Sequence, residues 1–169
     1  WLTVSAGQYS TLAIKTDGTL WSWGSPRYGD MGLGNNTTYS SPKQVGALTN
    51  WLQVSAGYAT TGALKTDGTL WTWGSNAYGA LGLGNTTNYS SPKQVGGLTN
   101  WAILQVGYGG LETYAIKTDG TLWAWGSSGY GQLGLGNTSW YSSPKQVGSS
   151  TKWIDIAGKR NYPLAIYYS

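Results

Sequence analysis

Residues 14–25 read IKTDGTLWSWGS, and the line returns as LKTDGTLWTWGS at 64–75 and as IKTDGTLWAWGS at 116–127. Each copy is an apolar run, an Asp-Gly pair and a second run that carries two tryptophans. Asp17-Gly18, Asp67-Gly68 and Asp119-Gly120 predict two-residue turns in which both residues take positive backbone angles, so each copy forms a hairpin. Side chains alternate along a strand, which puts Trp21 and Trp23 on one face. A lone hairpin leaves two such rings uncovered. An identical neighbour covers them most simply, and that predicts a stack of repeated sheets.

Working outward from the hairpins, Trp1, Trp51, Trp101 and Trp153 recur at intervals of 50, 50 and 52 residues, and SSPKQVG recurs at 40, 90 and 142. The first run of a unit, WLTVSAG, places Val4 and Ala6 together; the second, TLAIK, places Leu12 and Ile14 on one face and Ala13 on the other. Four short extended runs per unit, separated by turn signals, predict an all-β chain built as a β-propeller of four-stranded antiparallel blades. The units are 1–50, 51–100 and 101–152, with 153–169 supplying only the first two strands of a fourth, so the chain holds about three and a half blades. In that last unit Lys159 stands where Gly7 and Gly57 stand. The edge at Tyr167 and Tyr168 is expected to be an assembly edge, completed by a strand from further sequence or from another molecule.

The stretch GALKTDGTLWTWGSNAYGALGLGN at 62–85 resembles the repeat of the regulator of chromosome condensation family, whose members build seven-bladed propellers. The likeness covers nearly the whole chain, three times over, and the near-identity of the copies resembles bacterial or phage-encoded relatives. Propellers host guanine-nucleotide exchange, enzyme inhibition, adaptor and structural roles, so the resemblance implies a fold before it implies a function. Two departures bear on activity. The His that the family often carries before the second strand is replaced by Gln8-Tyr9-Ser10, by Tyr58-Ala59-Thr60 and by the longer YGGLET at 108–113. The inserted acidic wedge of the exchange factor has no counterpart, so exchange activity is not expected.

Composition narrows the chemistry. The 169 residues include 27 Gly, 11 Trp and 13 Tyr, with no Phe, Cys or His, and only 9% are charged. Few charges among many Thr, Ser, Asn and Gly suit strands and turns, and almost no helix is expected. The net charge of +4 is spread at repeat intervals over Lys15, Lys65 and Lys117 and over Lys43, Lys93 and Lys145, which reads as a solvated, edge-protecting pattern and argues against nucleic acid. Without cysteine there are no disulfides or thiolate metal sites, and no run of apolar residues is long enough for a membrane span. The passages YGDMGLGN, YGALGLGN and YGQLGLGN are glycine-rich but lack the spacing of a dinucleotide or phosphate loop. Of the acids, Asp17, Asp67 and Asp119 belong to turns, leaving Asp30, Glu112 and Asp155 with no reason to converge. No catalytic residue, cofactor or metal is called for, and the chain reads as a non-enzyme.

Binding is better supported, at positions where the repeats disagree. Between first and second strands lie Gln8 and Tyr9, Tyr58, then Tyr108, Leu111 and Glu112, then Lys159, Arg160 and Tyr162. These loops should gather on one face as a Tyr-rich surface. Arg27, Asn76 and Trp140 are secondary candidates, Trp140 as an exposed anchor or a hydrophobic plug, while the repeated Tyr28, Tyr78 and Tyr130 read as packing residues. Asn35, Asn36, Asn85, Asn88 and Asn137 carry the N-glycosylation pattern, although Asn beside Gly also serves turns. The expected function is a structural or protein-interaction scaffold, part of a larger propeller or assembly exposed on a cell surface, secreted fibre or virion. Its partner would be a protein, including other copies of itself or the rest of a longer chain. A glycan-binding module using the Tyr-rich loops is the alternative, and an inhibitor of an extracellular enzyme a weaker one.

Overall fold

The computed structural model describes residues 1–159 and 162–167, with side chains through residue 157. The fold is all-β. Strands β1 (Thr3–Ala6), β2 (Ser10–Ile14), β3 (Leu20–Gly24) and β4 (Tyr39–Gln44) form one antiparallel sheet in chain order. The meander repeats as β5 (Trp51–Ala56), β6 (Thr60–Lys65), β7 (Leu70–Gly74) and β8 (Tyr89–Gln94), and as β9 (Trp101–Val106), β10 (Glu112–Lys117), β11 (Leu122–Gly126) and β12 (Tyr141–Gln146). A two-stranded sheet of β13 (Trp153–Lys159) and β14 (Tyr162–Tyr167) follows, with Ile156 opposite Ala165 as Val54 is opposite Ala63. No helix among the described residues is long and apolar enough to cross a membrane.

The first strand of each sheet packs against the first strand of the next, so β1, β5, β9 and β13 line the inner side of an arc. Pro42, Pro92 and Pro144 lie in β4, β8 and β12 on the outer edge, where a missing N–H breaks no ladder. Side chains stitch the inner strands together. Ser5 Oγ accepts from the Ala56 N–H at 2.9 Å, Ser55 Oγ from the Val106 N–H at 2.9 Å, and Gln53 bonds both the N–H and the carbonyl of Leu104.

The Asp-Gly turns differ from expectation. Gly18 has φ 77° while Asp17 is not in the positive region, and the Gly18 N–H bonds the Lys15 carbonyl at 2.9 Å. This is a three-residue loop, a type I turn closed by a left-handed glycine, in place of the two-residue turn. Aspartate keeps ordinary angles there because its carboxylate is engaged. Asp17 Oδ1 accepts from the Thr19 N–H at 3.0 Å and from the Thr19 hydroxyl at 2.6 Å, and that hydroxyl accepts the Trp21 indole N–H at 2.8 Å. The relay repeats at Asp67, Thr69 and Trp71 and at Asp119, Thr121 and Trp123.

The second tryptophan of the second and third hairpins reaches the preceding sheet, as its uncovered face requires. Trp73 Nε1 donates to the Asp30 carbonyl at 2.8 Å and Trp125 Nε1 to the Ala80 carbonyl at 2.9 Å, each joined by a threonine hydroxyl, Thr61 or Thr113. Both indoles are fully buried, whereas Trp23 of the first sheet is half-buried. The loop after β3 must approach that indole closely: a Cβ on Gly32 would lie 2.8 Å from Trp73 Nε1.

The repeated lysines correct the edge-protecting reading for one series. Lys65 and Lys117 are only 6% and 8% exposed, and their ammonium groups lie 3.8 Å from the ring centroids of Trp71 and Trp123. Burial lowers the Lys65 pKa. The indole faces offset part of that desolvation, on the order of 2 kcal/mol for a shielded cation over an aromatic ring. Lys43 and Lys93 are exposed on the outer strands, as read.

Candidate protein-interaction face

An antiparallel meander sends its first and third connections to the same end, so the β1–β2 and β3–β4 loops of every sheet share one face. The first connections stack closely, since a Cβ on Gly7 would meet the Gly57 carbonyl at 2.6 Å and one on Gly57 the Gly107 carbonyl at 2.6 Å. Thr60 Oγ1 donates to the Gly110 carbonyl at 2.7 Å and ties the second loop to the longer third one. These contacts gather Tyr9, Tyr58, Tyr108 and Leu111 along one ridge, with Gln8 exposed beside them.

Arg27, a secondary candidate, joins the ridge from the β3–β4 loop. Its guanidinium carbon lies 4.7 Å from the Tyr9 ring centroid and 5.4 Å from that of Tyr58, and Nη1 donates to the Tyr58 hydroxyl at 2.9 Å. The two rings meet edge to face, 6.3 Å apart.

Other candidates are corrected. Glu112 begins β10 and is buried, so it is not a loop residue that a partner could touch. Burial raises its pKa, and the carboxyl helps burial raise that of Tyr114, whose hydroxyl donates to the Gln132 carbonyl at 3.1 Å. Asn76 is fully buried: its Oδ1 accepts the Leu81 N–H, and its amide donates to the Asn85 and Thr87 carbonyls. It organises the loop after β7 and offers nothing to solvent. Tyr28, Tyr78 and Tyr130, expected to pack, are 57%, 45% and 88% exposed and extend the aromatic surface outward. An aromatic repeated at one place in every unit can face solvent as readily as core.

Trp140 is exposed, which favours the anchor over the plug. Asn35, Asn85 and Asn137 each accept the N–H two residues on at 2.9 Å, so their recurrence follows from turn formation. Asn36 and Asn88 are exposed, and Asn88 Oδ1 accepts the Asn76 N–H. Arg160 and Tyr168 lie outside the described residues, as do the side chains of Lys159, Tyr162 and Tyr167. Asp30 is buried after β3, bonded by Ser10 Oγ and the Arg27 N–H at 2.8 Å each; burial raises its pKa against those bonds. Among the described residues no group of three or more acids, histidines or cysteines could hold a metal. Elsewhere the repeat generates one apolar groove twice, of about 370 and 420 Å³, the first between Leu33, Val45, Leu48, Trp51, Trp71 and Pro92.

The repeat pattern of the regulator of chromosome condensation, RCC1, matches residues 17–64, 67–116 and 119–165. The chain belongs to the RCC1 repeat family. Each matched span runs from the turn of one sheet into the second strand of the next, so the RCC1 unit straddles the boundary that the tryptophan and threonine bonds cross. The chain is 36% identical over 146 residues to the ultraviolet-B receptor UVR8 of Arabidopsis thaliana, covering 85% of this chain and 33% of that protein. Prp20p of Saccharomyces cerevisiae, whose structure was reported with its binding to Gsp1p and histones, superposes with TM-score 0.83 at 17% identity over 99% of this chain and 44% of its own. Human WBSCR16 gives 0.58 at 21% identity, over 99% and 57%. The chain thus spans about a third of the length of the plant relative, and its architecture is that of the RCC1 propellers.

Proposed function

We propose that this chain is a non-enzymatic, protein-binding segment of a larger RCC1-type propeller, and that it engages its partner through the face bearing the β1–β2 and β3–β4 loops. The observation that carries this reading is the concentration there of exposed aromatics from all three full sheets, with a tyrosine-clasped arginine among them. Tyrosine and arginine are enriched where proteins recognise one another, tyrosine because it gives a large contact area at low entropic cost and arginine because its planar fork offers several donors. Protein binding by the fold relative Prp20p is compatible with this reading. Completion of the β13–β14 sheet by further strands belongs to the same proposal, as does exposure on a cell surface, secreted fibre or virion.

The test is capture of proteins from the source cells and their surroundings by the immobilised chain, compared between variants. A Tyr58→Ala, Tyr108→Ala double variant should lose the captured proteins. A Thr99→Ala variant, at the opposite end of the sheets, should keep them. Equal capture by both would overturn the reading. A glycan-array signal that depends on Tyr58 would replace it with the lectin reading.

A further inference from the structure

Arg27 is held in a way that selects the chemistry of what it binds. A guanidinium has five N–H donors, and one edge of this one is occupied by the Tyr58 hydroxyl. Tyr9 and Tyr58 lie against the group and restrict its rotamers. The Nε and Nη2 edge retains the parallel pair of donors that a planar carboxylate matches.

Among the described residues no acid fills that role. Asp17, Asp67 and Asp119 are bound within their own turns, at the other end of the sheets. Asp30 is buried, and what it takes from Arg27 is the backbone N–H, not the side chain. Glu112 is buried in β10, and Asp155 Oδ1 accepts the N–H of Ile156 on β13.

The repeats supply an internal control. Where the first has Arg27, the others have Ala77 and Gly129; where the first has Tyr9, the second has the buried Ala59. The sheets pack without either side chain, so the pair is an addition confined to the first repeat. A cation between two rings loses little freedom on binding and is weakly hydrated, so a partner carboxylate meets a preorganised receptor.

We propose that Arg27, aligned by Tyr9 and Tyr58, forms a carboxylate-binding site that takes an aspartate or glutamate side chain from the protein partner. This rests on the loop face being the interaction surface.

The test is nuclear magnetic resonance titration of the full chain with a short capped Glu-rich peptide and with the same peptide bearing Gln throughout. The Glu peptide should shift the Arg27 Nε–H and Tyr58 ring signals in a saturable way, and the Gln peptide should bind at least about tenfold more weakly. Arg27→Lys should weaken the Glu peptide at least about fivefold, because an ammonium has no fork. Arg27→Gln should abolish the response; the side chain is exposed, so the fold is retained. Equal binding of the two peptides, an unchanged response in Arg27→Gln, or shifts produced by sialyllactose and not by the peptide would each overturn the proposal. If the Glu peptide leaves Arg27 unmoved while the Tyr58, Tyr108 double variant still loses its captured proteins, the carboxylate site falls and the loop-face reading stands. If the double variant keeps those proteins, the loop-face reading falls.

Discussion

Thr69 shows how one hydroxyl can fix a turn and an indole together. It donates to Asp67 and accepts from Trp71, so Thr69→Val removes two bonds at a buried position while keeping the shape of the side chain. The expected loss is about 1–2 kcal/mol, read from urea unfolding midpoints. The turn aspartates and the buried acids act with opposite sign as pH changes. Thr19, Thr69 and Thr121 hold the three turn carboxylates below the usual aspartate range, so their contribution is present above about pH 4 and fades as pH falls through the lowered values. Burial lifts Glu112 above its ordinary 4.5, so its contribution is complete below that value and is lost as pH rises through the raised one. Glu112→Gln, which cannot ionise, should therefore gain stability relative to the natural chain as pH rises above 4.5 and through the raised value. A difference that stays constant or shrinks across that range would contradict the assignment.

Sheet spacing is set by backbone approach, and it can be tested with a matched pair of glycines. Gly57 has no positive φ but no room, since an added Cβ would lie 2.6 Å from the Gly107 carbonyl and 2.9 Å from Val106 Cγ1. Gly57→Ala should cost about 1–3 kcal/mol by forcing two sheets apart. Gly97, with ordinary angles and open space around it, should accept alanine with a gain of about 0.4–1 kcal/mol. Both are read by thermal or urea denaturation. Much of this level was legible beforehand. The period, the hairpins and the need to cover paired tryptophans are properties of spacing and alternation, which sequence displays directly. The turn type was not, because Asp-Gly fits both hairpin classes, and the pairing of Lys15 with Thr19 that makes the loop three residues long shows only in the fold. Nor was the burial of Lys65, since a regularly spaced lysine looks solvated until the two indoles around it are placed.

For the whole molecule, the arc of sheets brings residues far apart in sequence onto one end, and the candidate site was legible only in part for that reason. The placement of Tyr9, Tyr58, Tyr108 and Leu111 on one end could be read because loops between equivalent strands must cluster. Glu112 was misplaced because the inserted loop of the third repeat hides where its strand begins, and Asn76 because a variable position in a loop can be internal to it. The bond between Arg27 and Tyr58 joins the β3–β4 loop of the first sheet to the β1–β2 loop of the second, a contact between repeats that the sequence does not display. The central claim is that one end of the sheets carries the partner. The most direct measurement is site-specific photo-cross-linking in the source cells, with the reactive residue at position 58 in one variant and at position 99, on the opposite end, in another. Protein adducts from position 58 and none from position 99 are predicted; adducts from position 99 alone, or equal yields from both, would contradict the claim.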